Sequence, residues 1–283
     1  MIKQKFASYK KHPGSFILLL LVLFSAVLTV GILVYLIAYI LIHGIPYLTP
    51  ELFAWEYNSE NVSLVPALMN TLFMTALALV IAVPVGIGSA IYLSEYAKKG
   101  NKLVRLIRLM AETLQGIPSI IYGLFGMLFF VGTLKMGYSI LAGAATLAIM
   151  VLPVVMRTTE EALMSVPDMY REGSFGLGAG KLRTVFRIVL PAAIPGILSG
   201  IILATGRIVG ETAALIYTAG TVPEIATGIL DSGRTLAVHM YSLSREGMHT
   251  NQAYATAVVL LVIVLLMNGL SSMIAKKVAS KNQ

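Results

Sequence analysis

An arginine lies near the middle of a long apolar segment, where a permanent charge requires an explanation. The segment runs from Ala192 to Gly220, with Arg207 beside its midpoint. A charged side chain at the centre of a bilayer costs about 3 kcal/mol or more, and it persists mainly where it faces a cavity or a partner. The guanidinium offers several planar N–H donors and keeps its charge near neutral pH, which suits a tetrahedral oxyanion. Arg207 is therefore a candidate for binding an anion within the membrane.

Glu211 follows Arg207 by four residues and would share its helical face if the segment is one helix. We predict that Glu211 holds Arg207 when no anion is bound and repels an anion that stays, which keeps binding weak. The alternative is a purely structural ion pair that neutralises itself or bonds a neighbouring helix. Two glycine pairs in the same segment have the GxxxG spacing of close helix packing: Gly196 with Gly200, and Gly206 with Gly210.

A hydrophilic, basic segment precedes this apolar run. It reads EGSFGLGAGKLRTVFRIVLP, from Glu172 to Pro191. Gly178 suits a turn that a residue with a Cβ would resist. The apolar residues after it have the spacing of an amphipathic helix: Leu182, Val185, Phe186 and Val189. Leu190 and Pro191 are predicted to end that helix, because proline blocks the hydrogen-bond ladder. We interpret the segment as a coupling surface; the alternative is a loop that rests on lipid headgroups.

The composition places the chain in a membrane. Of its 283 residues, 57% are hydrophobic and 12% are charged, and a water-soluble core cannot bury so much apolar surface. Apolar runs that meet the roughly 20 residues needed for a crossing lie at about 15–43, 66–94, 109–134, 138–157, 192–220 and 253–275. We therefore predict an all-α, polytopic integral membrane protein with six transmembrane helices.

Basic residues indicate the orientation of this bundle. If the helices alternate, most of the 21 lysines and arginines fall on one side, and the other side holds only Lys135, Arg234 and Arg245. By the positive-inside tendency, both termini and the Glu172–Pro191 segment are predicted to be cytoplasmic. The net charge of +8 then reflects topology, and no nucleic-acid partner is expected because no nucleic-acid-binding pattern accompanies it.

Several kinds of chemistry find no support in the sequence. The chain has no cysteine, which excludes disulfides, thiolate metal ligands and cysteine nucleophiles. The stretch GLGAGKL departs from the phosphate-binding pattern G-x-x-x-x-G-K-[ST] at Phe175 and Leu182. The four histidines have no metal-ligand spacing: His12, His43, His239 and His249. We expect no catalytic residue, no metal and no ATP hydrolysis by this chain.

The Glu172–Pro191 segment resembles the EAA loop of ABC importer permeases, in which Glu-Ala-Ala is followed at fixed spacings by Gly, Ile and Leu-Pro. The residues that match are Glu172, Gly178, Ile188, Leu190 and Pro191. The two alanines are replaced by Gly173 and Ser174, which are also small. The resemblance implies a cytoplasmic coupling loop, placed at 158–191, that docks into a separate ATPase subunit and receives its motion.

Other segments are similar to the PstA family, a permease subunit of phosphate ABC importers. They are ETLQGIPSIIYGLFG at 112–126, GRIVGETAALIYTAG at 206–220, RTLAVHMY at 234–241 and AYATAVVL at 253–260. The similarity implies the type I ABC importer permease fold, with a cytoplasmic tail at 1–14, a first helix and external loop at 15–65, a permease core at 66–275 and a second tail at 276–283. The proline and glycine of Gly116–Ser119 are expected to break or kink the third helix, which would open backbone groups to an anion; the alternative is that they serve packing alone.

The resemblance also implies a function and a set of partners. The chain would be a non-catalytic permease subunit in the cytoplasmic (inner) membrane that imports inorganic phosphate. A second homologous permease subunit, two ATPase subunits that bind ATP and Mg²⁺, and an extracytoplasmic phosphate-binding protein would complete it, with membrane lipid around it and no cofactor in this chain. The alternatives are a permease for molybdate, sulfate or phosphonate, an ion-gradient-driven transporter or channel, and a membrane protein that senses phosphate without moving it.

Overall fold

The computed structural model describes residues 13–98 and 100–281, which are helical or irregular and contain no β-strand. The predicted tail at 1–14 lies almost wholly outside these residues, as do Lys99 and residues 282–283 of the second tail. The helices are α1 (Pro13–Gly44), α2 (Val65–Ile91), α3 (Lys102–Gln115), α4 (Ser119–Gly126), α5 (Ile140–Met164), α6 (Asp168–Gly176), α7 (Lys181–Thr184), α8 (Leu190–Val209), α9 (Ala213–Ile216), α10 (Leu236–Glu246) and α11 (Thr250–Lys281). Three π-helical segments extend or join them: Tyr92–Tyr96, Met127–Thr133 and Val185–Val189.

Six membrane crossings are consistent with this architecture. Five helical segments are long and apolar enough to span a bilayer: Gly14–Tyr47, Val65–Tyr96, Ile140–Met164, Lys181–Val209 and Thr250–Leu270. A sixth crossing combines Lys102–Gln115 with Ser119–Thr133, which are bent by 101° at the break between them. The break falls at Gly116–Pro118, as the sequence predicts, because Pro118 takes an extended ψ of 141° and cannot continue α3. The all-α membrane fold is confirmed.

The centre of the bundle is α5, and 72% of its apolar window is buried. The Ser139 side chain begins this helix by accepting the N–H of Ala142 at 3.2 Å. Its core residues pack against α2 and α8 in one cluster that includes Met74, Ala78, Leu147, Met150, Val151, Ala204 and Ile208. In contrast, none of the apolar window of α1 is buried, so most of that helix presents its side chains to lipid.

The two glycine pairs of α8 serve different purposes. A Cβ on Gly196 would lie 2.6 Å from the Cβ of Ala162, and one on Gly200 would overlap the hydroxyl of Thr158. These glycines therefore pack α8 directly against α5, which is the packing role that the sequence predicts. A Cβ on Gly206 would meet nothing within 4 Å, so the second pair leaves an open surface near Arg207.

The prediction that Leu190 and Pro191 end the preceding helix is wrong. The chain continues from Lys181 to Val209 as a single crossing. Leu190 donates its N–H five residues back, to the carbonyl of Val185, and so closes a π-helical turn. Pro191 then falls in the first turn of α8, where a missing N–H is tolerated.

The end of the bundle away from α6 and α7 is covered by residues 45–64 and α10, which we call the outer cap. Leu52, Val62 and Leu64 pack there with Leu236 and Leu243 in a second core. The Thr235 side chain starts α10 by accepting the N–H of Val238, and Gly247 ends it in the left-handed region at φ +75°. The cap is thus an ordered structure, although it lies between membrane crossings.

Candidate functional site

The first candidate site is the coupling segment, which we define as residues 165–191. The predicted loop at 158–191 is shorter in the structure, because α5 continues to Met164. Gly178 has φ +81° and makes the turn between α6 and α7 that the sequence predicts. The hydroxyls of Ser174 and Thr184 lie 2.8 Å apart and are buried. This bond holds α6 and α7 together as one unit.

Residues of the EAA-like pattern meet at a cleft in this segment. Ser174, Gly178 and Ile188 line a cleft of about 540 Å³, together with Arg183 and Arg187. Glu172 and Gly173 lie on the exposed side of α6, and a Cβ on Gly173 would meet nothing within 4 Å. Leu190 and Pro191 are half-buried where the segment enters α8. Ser174, Gly178 and Ile188 therefore lie together at the cleft, whereas Glu172 and Gly173 face outward.

Apolar side chains are unusually exposed around this cleft. The exposed fractions are 71% for Met169, 53% for Tyr170, 46% for Phe175, 91% for Leu177, 66% for Leu182 and 51% for Phe186. The predicted amphipathic helix thus divides, because Val185 and Val189 are buried within the chain while Leu182 and Phe186 are not. Met169, Tyr170, Phe175 and Leu177 lie outside the membrane crossings, where a cluster of exposed apolar residues is typical of a protein–protein contact.

A buried ion pair attaches the coupling segment to α2. Arg171 Nη2 lies 2.7 Å from Glu95 Oε1, and the two side chains are 16% and 8% exposed. Arg171 also donates to the carbonyls of Val166 and Leu163, at 2.8 and 2.9 Å. The hydrogen bond to Glu95 is the main reason that the pKa of Arg171 is raised above its usual range. No sequence pattern indicates this pair, since its members are 76 residues apart.

Further ion pairs lie at the end of α5 near the coupling segment, two of them between α3 and α5 and one within α5. Arg108 Nη2 lies 2.6 Å from Glu160, and Arg157 lies 3.2 Å from Glu112 and 3.0 Å from Glu161. Most of these side chains are about half exposed, so each pair contributes modestly to stability. Together they fix α3, which leaves the bundle axis at the 101° bend.

The second candidate site is Arg207, which lies in the last turn of α8. Its neighbours Ala204 and Ile208 pack in the core beside Met150 and Val151 of α5, near the middle of that crossing. The Arg207 side chain is half-buried and close enough to Tyr122 of α4 for its charge to act on that phenol. Within residues 13–98 and 100–281, the salt bridges include none to Arg207. Its guanidinium is therefore available for an anion.

The predicted placement of Glu211 on the helical face of Arg207 is wrong. The helix ends at Val209, and Gly210 donates its N–H to Gly206 at 3.3 Å. Glu211 follows in non-helical backbone and is 8% exposed. Its Oε1 accepts the N–H of Ala214 at 3.1 Å, so the carboxylate satisfies the start of α9 instead of pairing with Arg207.

Comparison with known proteins gives a consistent picture. The family model described as "Binding-protein-dependent transport system inner membrane component" matches residues 82–280, which include all the candidate site residues. The chain is 35% identical over 282 residues to "Probable ABC transporter permease protein YqgI" of Bacillus subtilis, covering 90% of this chain and 94% of that protein. It is 35% identical over 222 residues to "Phosphate transport system permease protein PstA" of Yersinia pestis, covering 78% and 75%. A chain of a solved bacterial alginate ABC transporter shares the fold, with a TM-score of 0.66 at 18% identity and coverage of 95% and 98%.

The crossings, the coupling segment and the family match together define a multi-pass inner-membrane permease subunit of an ABC importer. Such a subunit is non-catalytic. The chain belongs to the binding-protein-dependent transport system inner membrane components, and among them to the PstA-family permeases.

Proposed function

We propose that this permease subunit forms one half of the membrane path of an ATP-driven importer of inorganic phosphate. The observation that carries the proposal is the half-buried Arg207 beside the core residues of α5, with no carboxylate in ion-pair contact among the residues that the structure describes. A guanidinium can donate two parallel hydrogen bonds to a tetrahedral oxyanion and keeps its charge throughout. Relatives named as phosphate permeases favour phosphate among the oxyanions.

Energy from ATP would reach Arg207 through a single helix. The crossing Lys181–Val209 contains the exposed residues of the coupling segment at one end and Arg207 near the other. At 1.5 Å per residue, Lys181 and Arg207 are about 39 Å apart along it. A separate ATPase subunit, which would bind ATP and Mg²⁺, would dock on the coupling segment. Its movement would tilt this helix and turn Arg207 from one side of the membrane to the other.

The remaining partners follow from the same scheme. A second homologous permease subunit would close the path beside α8, whose surface at Gly206 is open, and a second ATPase subunit would serve it. An extracytoplasmic phosphate-binding protein would deliver phosphate at the outer cap. Both termini and the coupling segment would be cytoplasmic, in agreement with the distribution of basic residues.

Glu211 would have a positioning role in this path. Its hydrogen bond to Ala214 fixes the break that ends α8 just beyond Arg207. Because this bond needs an acceptor oxygen and not a charge, Glu211→Gln should retain more transport than Glu211→Leu.

The test is uptake of labelled phosphate by proteoliposomes that contain the permease subunits and their ATPase. We expect ATP-dependent uptake that Arg207→Gln reduces at least about tenfold, while Lys135→Gln, an exposed cation at the opposite end from the coupling segment, leaves it unchanged. Equal uptake by Arg207→Gln at matched expression would refute the role of Arg207. Competition by sulfate or molybdate as strong as by phosphate would assign another oxyanion, and uptake driven without ATP would exclude the importer mechanism.

Docking of the ATPase has a separate test by cysteine cross-linking. Because the chain has no native cysteine, an introduced cysteine is its only thiol. A single cysteine at Leu177, which is 91% exposed in the coupling segment, should cross-link to the ATPase subunit. A matched cysteine at Met248, 79% exposed beside the outer cap, should not. Cross-linking at Met248 and not at Leu177 would reverse the proposed orientation.

A further inference from the structure

A cavity of about 590 Å³ lies outside both candidate sites, between α1, α4, α9, α10 and α11. Its size falls within the range of about 300–1,000 Å³ that is typical of small-molecule sites. Neither Arg207 nor any residue of the coupling segment lines it. The cavity is therefore distinct from Arg207 and from the coupling segment.

The cavity extends along one half of the membrane. Its inner end is at Ile120, immediately after the break in the third crossing. That break is near mid-membrane, because Gln115 donates to the carbonyl of Pro153 in the middle of α5, at 3.2 Å. Its other end is at Arg245 and Thr250, where α10 ends and α11 begins. This depth corresponds to a single bilayer leaflet, the one opposite the coupling segment.

The chemistry of the lining changes along this depth. Ile120, Ile216 and Ala257 make the inner part mostly apolar, with the hydroxyl of Thr212 beside them, whereas the outer end carries the guanidinium of Arg245. No carboxylate is among the lining residues. Arg245 is exposed, and the salt bridges found in the described parts of the chain do not involve it. The outer end therefore carries an unneutralised positive charge above an apolar slot.

Aromatic residues mark the same outer end as the headgroup level of the bilayer. The ring of His43 lies 4.1 Å from that of Tyr39 and 5.6 Å from that of Tyr254, centroid to centroid. Tyr254 also lines the cavity. Amphipathic rings concentrate where a membrane meets water, so the mouth of the cavity lies where lipid phosphates lie.

We propose that this cavity binds one anionic phospholipid of the leaflet opposite the coupling segment. An acyl chain would fill the slot between α4, α9 and α11, and the phosphodiester would bind Arg245 at its mouth. A free phosphate ion fits this surface less well, because Arg245 is the one cation among the lining residues and the side chains of Ile120, Ile216 and Ala257 offer it no hydrogen bond. The proposal is independent of the transported substrate.

The test is native mass spectrometry of the delipidated full-length chain, titrated with phosphatidylglycerol or with zwitterionic phosphatidylcholine. One phosphatidylglycerol should bind with an affinity about fivefold higher than phosphatidylcholine, as expected for contact of one basic residue with an anionic headgroup. Arg245→Gln should remove that preference, and Lys135→Gln should retain it. Ala257→Trp, which fills the slot, should weaken binding of both lipids.

Three results would overturn the proposal. The first is an unchanged preference for phosphatidylglycerol in Arg245→Gln. The second is Arg245-dependent binding of inorganic phosphate that Ala257→Trp does not affect, which would make the mouth a station for free phosphate. The third is loss of the lipid on assembly with a second permease subunit, which would assign the slot to a partner helix. A thermal unfolding profile for each variant separates these results from misfolding.

Discussion

Acidification should loosen the outer cap, because a histidine is buried there in its neutral form. His239 in α10 is fully buried, and neither ring nitrogen makes a hydrogen bond of normal geometry. The ring centroids of His239 and Tyr57 are 6.2 Å apart, and the guanidinium of Arg234 lies 4.8 Å from the centroid of the Tyr57 ring. Burial, and then the positive charge of Arg234, lower the pKa of His239 to about 3.

The size of the effect follows from proton linkage. In the unfolded chain this histidine has a pKa of about 6.5, so between roughly pH 6.5 and 3 the unfolded state binds a proton that the folded state does not. Stability is therefore unaffected above the unfolded value and falls by about 1.4 kcal/mol for each pH unit below it. At pH 4.5 the loss is about 2.7 kcal/mol, which is a large part of the stability of a small cap.

Trp55 provides the assay, because it is the only tryptophan in the chain and lies in the cap two residues from Tyr57. Its fluorescence should report opening of the cap during denaturant titration of the purified chain. We expect the midpoint to fall between pH 7 and pH 4.5 in the wild type and to change much less in His239→Gln. Titration of the carboxylates shifts the midpoint in both proteins, so it cancels when the two shifts are subtracted. An equal shift in both proteins would refute the assignment to His239.

Five further substitutions test an ion pair, the packing of α8 and the turn at Gly178. Arg171→Met should destabilise the chain by about 3 kcal/mol or more in a denaturant titration, because it leaves Glu95 buried without its partner; adding Glu95→Gln should recover part of that loss. Gly200→Ala should lower stability by about 1–3 kcal/mol, and with it the midpoint of thermal unfolding, because its Cβ would clash with α5. Gly206→Ala, which has open space around it, should change stability by no more than about 0.5 kcal/mol. Gly178→Ala should lower the stability of the turn by about 1–2 kcal/mol, because alanine disfavours the positive φ of this position. The coupling segment should then be cleaved faster in limited proteolysis, and an unchanged rate would contradict that expectation.

The features that the sequence predicts well are those that depend on local chemistry. Apolar length alone identifies all six crossings, since no other structure satisfies the backbone of such runs in lipid. Gly178 is correctly assigned to a turn, and the break near Pro118 follows from a ring that cannot continue a helix. These rules need no knowledge of what packs against each segment.

The features that the sequence misses depend on which neighbours are present. The apolar run continues to Gly220, but the helix stops at Val209. Beyond it, the Glu211 N–H donates to the Ile208 carbonyl and the Glu211 side chain accepts the N–H of Ala214, which satisfies the opened backbone. A buried loop can be as apolar as a helix, so hydropathy does not show where the helix ends. The pairing of Arg171 with Glu95 is likewise set by tertiary contact, and no periodicity in one sequence encodes it.

The early end of α8 also places Arg207 beside a helix terminus. Arg207 lies in the last turn of the helix, where unsatisfied carbonyls give the helix end a partial negative charge of about half a unit. That field favours a cation, yet it is weaker than an ion pair and occupies none of the guanidinium's donors. A paired carboxylate would compete with an incoming anion for those donors, whereas a helix terminus does not. In the proposed mechanism, the break at Gly210 would therefore take the role that the sequence assigned to Glu211: it would stabilise the arginine and leave its donors to the anion.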